Sequence, residues 1–390
     1  MELSKLIELE EMNFFHTYNR LNIKIDRGEG CYLYTDKNEK ILDMFAGLAV
    51  NVLGYNHPKV NDAIEKQIKK YIHISNLFYQ DSQVKLAEKI ISLSGYKKIF
   101  FTNSGTEAIE AAIKLIRKYF YSQPKKEIIS FTGAFHGRTM GALSLNGRDK
   151  YKRYFGPFLT DFKTLTFNSV DELEKNINEN TAAVFLECIQ GEGGINIITP
   201  QFVEALQSLR EKYNFLIAAD EIQAGVGRTG KLHSFEHFGL EPDIVILAKG
   251  IGGGLPLGSM LGNERVENVF DYGDHGSTFG GNPVAAAAGL AVFGEIEKGL
   301  MNNSGLMGEY LVKELKELQK SHAGKIKDIR GRGLMLGIEM NFECKDLIDD
   351  LMKNGVLTNC TNGNVIRLLP PMIMGKEEAD LFLNKFEKVL

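Results

Sequence analysis

The feature that most constrains the fold of this chain is a regular alternation, between residues 97 and 262, of short apolar runs with amphipathic segments. The apolar runs are Lys98 to Thr102, Glu127 to Phe131, Ala182 to Glu187, Phe215 to Ala219 and Asp243 to Ala248. Between them, apolar residues recur at helical spacing, as at Ala108, Ile109, Ala112, Ile113 and Ile116. Strands that alternate with helices are typical of a mostly parallel sheet covered by helices. We therefore predict an α/β fold.

The pattern changes after Pro283. Long helices are expected over Pro283 to Lys298 and Leu306 to Lys320, with short strands around Gly333 to Met340 and Val365 to Leu369. A chain of 390 residues is long enough for two or three domains. The change of pattern favours a second, smaller domain in this part of the chain.

The charge balance argues against several classes of partner. The chain has 46 basic and 50 acidic side chains, so no overall basic field attracts nucleic acid or an anionic membrane. Its longest apolar stretch, residues 283–293, is shorter than the roughly 20 residues that a membrane span needs. Residues 1–11 carry more acid than base and lack the apolar core of a secretory signal. We expect no nucleic-acid partner, no membrane association and no secretion.

The four cysteines, at positions 31, 188, 344 and 360, are widely scattered and show no CxxC or Cys/His spacing. A chain of this length does not need disulfides to stabilise a core. The cysteine pattern therefore predicts no metal site and favours a reducing compartment, the cytoplasm.

The segment Gly225 to Lys231 spells two cofactor motifs at once, GxGxxG and GxxxxGK. A P-loop needs Ser or Thr after its lysine, and Leu232 stands there. A dinucleotide fingerprint must open an amphipathic helix, whereas Gly239 and Pro242 leave room for barely two turns. The context argues against both nucleotide motifs.

Ionisable and hydroxyl residues follow three of the predicted strands. Asp220 and Lys249 each end an apolar run, and Asn103 to Thr106 precede a strong helix. Taken singly, Asp220 and Lys249 are as typical of solvated loop charges as of a functional site. In the same way, Asn103 to Thr106 are as typical of an ordinary helix cap as of a phosphate site. Together they supply a lysine for an aldehyde, an acid for a ring nitrogen and a helix N-terminus for a phosphate. That combination indicates pyridoxal 5'-phosphate.

The chain as a whole resembles a class III aminotransferase of fold type I, in the group that includes the acetylornithine and ornithine aminotransferases. The motifs that carry the resemblance are NSGTEA (103–108), FHGRT (135–139), QGEGG (190–194), DEIQ (220–223), LAKG (247–250), HGSTFGGNP (275–283) and IRLLPP (366–371). They span essentially the full length. The resemblance implies a large domain, residues 46–282, with a mostly parallel seven-stranded sheet covered by helices. A smaller α+β domain would combine residues 1–45 with 283–390.

The same resemblance implies cofactor roles for residues of these motifs. Lys249 matches the lysine that forms the Schiff base and later moves a proton, and Asp220 matches the partner of the pyridine nitrogen. Phe135 would stack on the ring. The other cofactor contacts that we expect are Ser104, Gly105 and Thr106 at the phosphate, Glu221, Ile222 and Gln223 after Asp220, and Thr278. Thr278 resembles the residue that reaches the phosphate in the neighbouring subunit, so a homodimer is expected.

Substrate contacts are implied in the same way. Arg138 matches the clamp for the donor's distant carboxylate, and Arg367 matches the clamp for the α-carboxylate of glutamate; arginine suits both because its planar guanidinium binds a carboxylate with two hydrogen bonds. Glu192 matches the switch residue that neutralises Arg367 while the donor is bound. Tyr18 would contact the donor's far end, and Ser277 would contact the substrate if the donor is acetylated.

The choice of donor rests on fewer residues. Leu48 stands where ornithine aminotransferases usually have a tyrosine, and an aliphatic side chain suits an acylated, uncharged nitrogen. SNLFY (75–79) and NCTNGNVIRLLPP (359–371) also resemble the acetylornithine enzymes. One departure is Cys188, where the family commonly has proline, which could loosen its loop.

The resemblance therefore implies transfer of the δ-amino group of N-acetylornithine to 2-oxoglutarate, a step toward arginine. The alternative donors are ornithine, succinylornithine and 4-aminobutyrate. A pyridoxal-phosphate aminomutase would share the cofactor residues but would not need Arg367 and Glu192. A nucleotide-binding protein would depend on the motifs already argued against.

Overall fold

A computed structural model describes all 390 residues. The helices are α1 (Leu3–Asn13), α2 (Ala46–Ala49), α3 (Pro58–Ile68), α4 (Asp81–Ser94), α5 (Gly105–Tyr119), α6 (Met140–Leu145), α7 (Asp149–Lys152), α8 (Val170–Asn176), α9 (Pro200–Tyr213), α10 (Pro283–Glu295), α11 (Met301–Ser321), α12 (Lys345–Lys353) and α13 (Lys376–Val389). Two 3₁₀ turns cover Ser234–His237 and Lys249–Gly252, and a π-helical turn covers Ile296–Leu300.

The strands form four sheets. They are β1 (Ile25–Glu29), β2 (Tyr32–Thr35), β3 (Lys40–Asp43), β4 (Lys98–Thr102), β5 (Glu127–Phe131), β6 (Phe162–Leu165), β7 (Thr181–Leu186), β8 (Ile189–Gln190), β9 (Asn196–Ile197), β10 (Leu216–Asp220), β11 (Ile244–Leu247), β12 (Gly258–Gly262), β13 (Ile326–Arg332), β14 (Met335–Met340), β15 (Val356–Leu357), β16 (Asn359–Thr361) and β17 (Val365–Leu368). All five strands predicted before residue 262 are present, with ends within one residue of those expected.

The largest sheet has seven strands in the order β4-β12-β11-β10-β7-β5-β6. Six strands run in the same direction, and β12 is antiparallel to both of its neighbours. Strands β7, β10, β11 and β12 are buried along their whole length, which is why β7, β10 and β11 are almost continuously apolar rather than alternating. The predicted α/β fold with a mostly parallel seven-stranded sheet is confirmed.

Helix α5 shows how the sheet is covered. Ser104 caps its N-terminus by accepting a hydrogen bond from the main-chain N–H of Glu107. Its apolar face, predicted from the spacing of Ala108 to Ile116, is buried against the strands. Helix α9 begins with Pro200 at its first turn and is capped by Thr199. Helix α5 thus begins within the segment Asn103 to Thr106 that was expected to precede it.

The C-terminal part of the chain is more continuous than predicted. Helix α10 leads through the π-helical turn directly into α11, and the turn contains Gly299 at φ 116°. Strands β13, β14, β17 and β16 form a separate antiparallel sheet, which positions Arg367.

The first strands of the chain belong to a sheet that the C-terminal part completes. Strand β3 pairs in parallel with β15. Helix α10, in contrast, packs against α3 and α4. The division into residues 46–282 and residues 1–45 with 283–390 stays a prediction.

The cysteine interpretation needs a correction. Cys344 and Cys360 are joined by a disulfide, while Cys31 and Cys188 are free and buried. The two partners lie 16 residues apart and carry no spacing motif, so only the packing of α12 against β16 brings them together. No helix of the structure is long and apolar enough to cross a bilayer.

Candidate active site

A cavity of about 460 Å³ lies at the carboxyl ends of the central strands, where ligands of open parallel sheets bind. The predicted site residues that line it are Ser104, Gly105, Thr106, Phe135, Arg138, Glu192, Asp220, Ile222, Gln223 and Lys249. Leu48 lines it as well. Most of the predicted site is therefore brought together by the fold.

Lys249 follows β11 and opens a 3₁₀ turn. Its backbone has φ 49°, the left-handed region that a residue with a side chain rarely adopts and that often marks a functional position. Its amine makes no hydrogen bond or ion pair within the protein. Burial, and then the charge of Arg367, lower the pKa of this amine to about 8. A lysine that is partly neutral near physiological pH can act as a nucleophile and as a base.

Asp220 ends β10 and is almost fully buried. Its Oδ2 lies 2.7 Å from Nδ1 of His136, and its Oδ1 accepts a hydrogen bond from the main-chain N–H of Ile222. Burial alone would lower the pKa of His136, but the hydrogen bond to Asp220 and the charges of Asp220 and Glu187 outweigh burial and raise it. Asp220 is therefore held in one orientation, with its carboxylate facing the cavity.

The N-terminus of α5 also faces the cavity. Gly105 and Thr106 are the first two helical residues, so their main-chain N–H groups have no partner inside the helix. The Thr106 hydroxyl is 2.8 Å from that of Thr139. A methyl group on Gly105 would lie 2.5 Å from Cδ1 of Ile222, so a larger residue there would have to displace the Ile222 side chain. Helix N-termini with free N–H groups and hydroxyls bind phosphate without a basic side chain.

These features fit pyridoxal 5'-phosphate. The cavity provides a lysine with a lowered pKa, a buried carboxylate supported by a histidine, and a phosphate cradle, all around one volume. In the His136–Asp220 pair, Nε2 of His136 is buried without a hydrogen-bond partner in the chain. Lys249 would hold the aldehyde carbon, Asp220 the ring nitrogen, and the start of α5 the phosphate.

The carboxylate clamp predicted at Arg367 lies beside this cavity. Arg367 Nη1 donates to Oε1 of Glu192 at 2.6 Å and to Oε1 of Gln223 at 3.1 Å, and its Nε donates to Asn359 at 3.2 Å. Arg367 is only 1% exposed. Burial alone would raise the pKa of Glu192, but the charge and hydrogen bond of Arg367 outweigh burial and lower it. The two residues therefore form a buried ion pair at the cavity.

The main chain of Glu192 is fixed while its side chain lines the cavity. The carbonyl oxygen of Glu192 accepts hydrogen bonds from Arg148 and from the Thr361 hydroxyl. Movement of the carboxylate therefore requires rotation of the side chain rather than of the loop. This is the arrangement that a switch residue needs.

Arg138 is exposed and lines the cavity. Its guanidinium lies 4.3 Å from the ring centre of Tyr151 and 5.5 Å from that of Phe135. No carboxylate of the chain pairs with it. Arg138 is thus free to bind the carboxylate of a substrate.

Besides Arg367, which lies beside the cavity, four predicted residues do not line it in the single chain. Tyr18 is exposed and stacks with Arg20 instead. Thr278 is exposed, and Ser277 accepts a hydrogen bond from Asn103 nearby. Glu221, which was predicted to contact the cofactor, does not line the cavity.

The side chain of Glu221 points into the protein. It accepts hydrogen bonds from the main chain and hydroxyl of Ser234 and from the main chain of Phe235. Burial raises its pKa to about 8. Successive residues of an extended segment point in opposite directions, so Asp220 and Glu221 cannot both face the cavity.

Two cavity residues were missed in the sequence. His136 supports Asp220, and Glu187 accepts hydrogen bonds from the main-chain N–H groups of Phe135 and Gly191, both at 3.1 Å. Burial raises the pKa of Glu187 to about 7, although the charge of His136 opposes this. Glu187 directly follows β7, so the strand-end criterion that selected Asp220 would have found it too.

The glycine-rich segment that mimics nucleotide motifs forms turns. Residues 225–230 adopt turn conformations, and only the four-residue 3₁₀ turn Ser234–His237 follows. Its Arg228 is buried and donates to the carbonyl oxygens of Leu334 and Pro370. This segment therefore connects the central sheet to the C-terminal sheet rather than opening a helix at a ligand.

Comparisons with known proteins agree with this geometry. The family model for aminotransferase class III matches residues 15–390. The acetylornithine aminotransferase of Aquifex aeolicus is 43% identical over 378 residues, covering 96% of this chain and 99% of that protein. Ornithine aminotransferase 1 of Staphylococcus saprophyticus is 39% identical over 380 residues, covering 96% of each.

The solved structures agree as well. A structure of ornithine aminotransferase from Toxoplasma gondii, whose active site holds pyridoxal 5'-phosphate at partial occupancy, matches with a TM-score of 0.95 and 29% identity. The match covers 100% of this chain and 94% of that one. The sequence comparisons and the structural comparison thus both point to aminotransferases, in agreement with the lysine, the buried carboxylate and the helix N-terminus at the cavity. The chain belongs to the class III aminotransferases.

Proposed function

We propose that this enzyme transfers the δ-amino group of N-acetylornithine to 2-oxoglutarate, giving N-acetylglutamate 5-semialdehyde and glutamate. The observation that carries the proposal is the Arg367–Glu192 pair beside Lys249. A site that alternates between these substrates must bind a carboxylate next to the reacting carbon for glutamate, and must have no free positive charge there while the donor is bound. The choice of donor is supported by relatives that are named acetylornithine aminotransferase and that match this chain over nearly their whole length. The step would lie on the route to arginine.

The chemistry divides between the cofactor and the protein. Bound pyridoxal 5'-phosphate supplies an aldehyde that links to an amine and a ring that takes up negative charge from the substrate carbon. Asp220, held by His136, keeps a proton on the ring nitrogen. The free amine of Lys249 takes the proton from the substrate carbon and returns it at the aldehyde carbon.

The two substrates differ in where their carboxylates lie. N-acetylornithine carries its carboxylate far from the reacting amine, so Arg138 binds it while Glu192 neutralises Arg367. Glutamate carries a carboxylate on the reacting carbon, so Glu192 rotates away and Arg367 binds it. Leu48 offers an apolar contact to the acetylated nitrogen of the donor.

The proposal includes a homodimer in which Thr278 reaches the phosphate site of the neighbouring chain. Thr278 and Phe279 are exposed, and so are Leu77 and Tyr79. Asn76 holds these two segments together by donating to the carbonyl oxygens of Ser277 and Gly280. One exposed surface with large apolar side chains next to the cavity suits a second copy of the chain. We expect Tyr18 to complete the donor site in the assembled enzyme.

The proposed location is the cytoplasm. A disulfide such as that between Cys344 and Cys360 is rare in a reducing compartment, so the redox state of this pair bears directly on the location. Fractionation of cells and a count of free thiols in the native protein test it.

A donor panel tests the function. With 2-oxoglutarate as acceptor, we expect kcat/KM to be highest for N-acetylornithine, followed by succinylornithine, ornithine and 4-aminobutyrate. A higher kcat/KM for ornithine would overturn the donor, and the relative named ornithine aminotransferase 1 makes this the second candidate. Turnover of an amino acid without any 2-oxo acid would instead indicate an aminomutase.

A further inference from the structure

The wall of the cavity that carries Leu48 has an unusual backbone. Ala46, Gly47, Leu48 and Ala49 have φ values of 49°, 60°, 69° and 62°, so four successive residues of α2 lie in the left-handed region. Three of them have side chains and are sterically unfavourable there. Such a run persists only where the surroundings hold it. Since Leu48 lines the cavity, what holds this left-handed turn also decides where the Leu48 side chain lies.

One buried carboxylate holds the start of the turn. Asp43, which is fully buried, accepts hydrogen bonds through Oδ1 from the main-chain N–H groups of Phe45 at 2.7 Å and Ala46 at 2.9 Å. Its Oδ2 accepts a hydrogen bond from the Tyr55 hydroxyl at 2.7 Å. Asp43 is therefore bonded on one side to the turn and on the other to Tyr55.

Tyr55 is itself held in place. Its main-chain N–H and carbonyl pair with those of Gly30, and its ring packs over Gly28, where a methyl group would lie 2.5 Å from the ring carbon Cγ. Burial, followed by the nearby charge of Asp43, raises the pKa of the Tyr55 hydroxyl, so it keeps the proton that it donates. The orientation of Asp43 is thus fixed from outside the cavity.

Neither Asp43 nor Tyr55 lines the cavity, so they can affect substrates only through the turn. We propose that Asp43 and Tyr55 are positioning residues that set donor selectivity by holding Leu48 in its left-handed turn against the donor's acylated nitrogen. This inference rests on the proposed function for the identity of the donor, although the positioning role does not. A shift of Leu48 would alter the fit of the donor, whereas the guanidinium of Arg367 is held by its own hydrogen bonds to Glu192, Gln223 and Asn359.

The variant Tyr55→Phe removes only the hydroxyl. A matched control is Tyr32→Phe, because Tyr32 lies on β2 of the four-stranded sheet that contains Asp43 and donates to the Glu378 carboxylate, remote from the cavity. We expect Tyr55→Phe to reduce the ratio of kcat/KM for N-acetylornithine to that for ornithine about fivefold. Tyr32→Phe should leave the ratio unchanged, and both variants should keep the rate of the glutamate half-reaction.

A double-mutant cycle separates positioning from a general loss of stability. If Tyr55 acts through Leu48, Tyr55→Phe will have no further effect on the donor ratio in a Leu48→Ala background. Asp43→Asn keeps an oxygen that can accept from the N–H groups of Phe45 and Ala46 but replaces the acceptor of the Tyr55 hydroxyl by an amide NH₂, so it should behave like Tyr55→Phe.

Two results would overturn the positioning role. One is a donor ratio that Tyr55→Phe changes no more than Tyr32→Phe does, and the other is an effect of Tyr55→Phe that persists in full with Leu48→Ala. A native enzyme that prefers ornithine would overturn the proposed donor instead, and the same cycle would still report whether Tyr55 acts through Leu48.

Discussion

At the residue scale, the chemistry of this enzyme depends on a lysine placed in an unfavourable environment. Lys249 has a left-handed backbone and an amine without a partner in the chain. Enclosure lowers the pKa of this amine to about 8. An ordinary surface lysine would be almost entirely protonated at neutral pH and could not take a proton from a substrate. Because no contact stabilises the protonated amine of Lys249, a larger fraction of it is neutral and can act as a base.

Lys249→Ala removes this base. We expect turnover to fall by at least about 1000-fold, because both the covalent attachment and the proton transfer depend on the amine. Lys231→Ala is the control, since Lys231 is exposed and belongs to the rejected GxxxxGK motif. Steady-state assays with N-acetylornithine measure both. Loss of activity in Lys231→Ala with retention in Lys249→Ala would contradict the assignment.

The pH dependence of the donor half-reaction follows from the same pKa. Only the neutral amine accepts a proton, so the single-turnover rate should rise with pH and level off above about pH 8. Arg367 lowers this pKa and Glu192 raises it. We therefore expect the midpoint to move up in Arg367→Gln and down in Glu192→Gln. Shifts in the same direction would show that these charges do not control Lys249.

Glu192 should matter more for one half-reaction than for the other. In Glu192→Ala, the buried charge of Arg367 has no partner while the donor is bound, and the donor half-reaction should slow on the order of tenfold or more. The glutamate half-reaction should change less, because there the substrate carboxylate itself pairs with Arg367. Stopped-flow measurement of each half-reaction decides this. Equal changes in both would rule out a switch and leave a structural ion pair.

At the scale of elements, helix α5 combines an ordinary helix start with the proposed phosphate site. Ser104 caps α5, and Thr199 caps the similar helix α9, each accepting a main-chain N–H bond at 3.4 Å. Only Ser104 faces the cavity. The same substitution at the two caps therefore separates helix stability from cofactor binding.

We expect Ser104→Ala and Thr199→Ala each to cost about 1 kcal/mol of stability. Only Ser104→Ala should also weaken the binding of pyridoxal 5'-phosphate to the cofactor-free protein, by several fold. Thermal unfolding without the cofactor measures the first effect, and a fluorescence titration with the cofactor measures the second. If cofactor affinity falls equally in both variants, the start of α5 is a structural cap alone.

Some strands and turns of this fold could be predicted from the sequence, and others could not. The strands of the central sheet were predictable because burial on both faces makes them apolar runs. Two strands were missed. Strand β6 is a short, only partly buried edge strand, and strand β12 contains glycines that carry no strand signal and is stabilised by its antiparallel pairing with β4 and β11. His136 lies in a predicted motif, yet its bond to Asp220 arises only when β10 and the 135–139 loop meet. The left-handed turn at Leu48 had no signal either, because three of its four residues are not glycine.

At the scale of the whole molecule, the proposed site is shared between two copies. Each cavity would contain Lys249 of its own chain and Thr278 of the other. Sedimentation at twice the 43.6 kDa chain mass would support the dimer. Thr278→Ala homodimers should bind the cofactor more weakly than the native enzyme, because the phosphate loses a hydroxyl contact.

Mixed dimers test the sharing directly. In a dimer of one Lys249→Ala chain and one Thr278→Ala chain, one site combines an intact Lys249 with an intact Thr278 from the other chain. We expect such mixed dimers to regain native cofactor affinity at that site. If each Thr278→Ala chain keeps its weak binding after mixing, Thr278 acts within its own chain.

The pairing of β3 with β15 has a consequence for how the chain is made. Roughly 300 residues separate these two strands, and at about 5 to 20 residues per second a ribosome needs roughly 15 to 60 seconds to synthesise them. During that time β3 has an open edge and the turn that carries Leu48 lacks its C-terminal support. The N-terminal sheet can therefore be completed only after the ribosome has synthesised almost the whole chain.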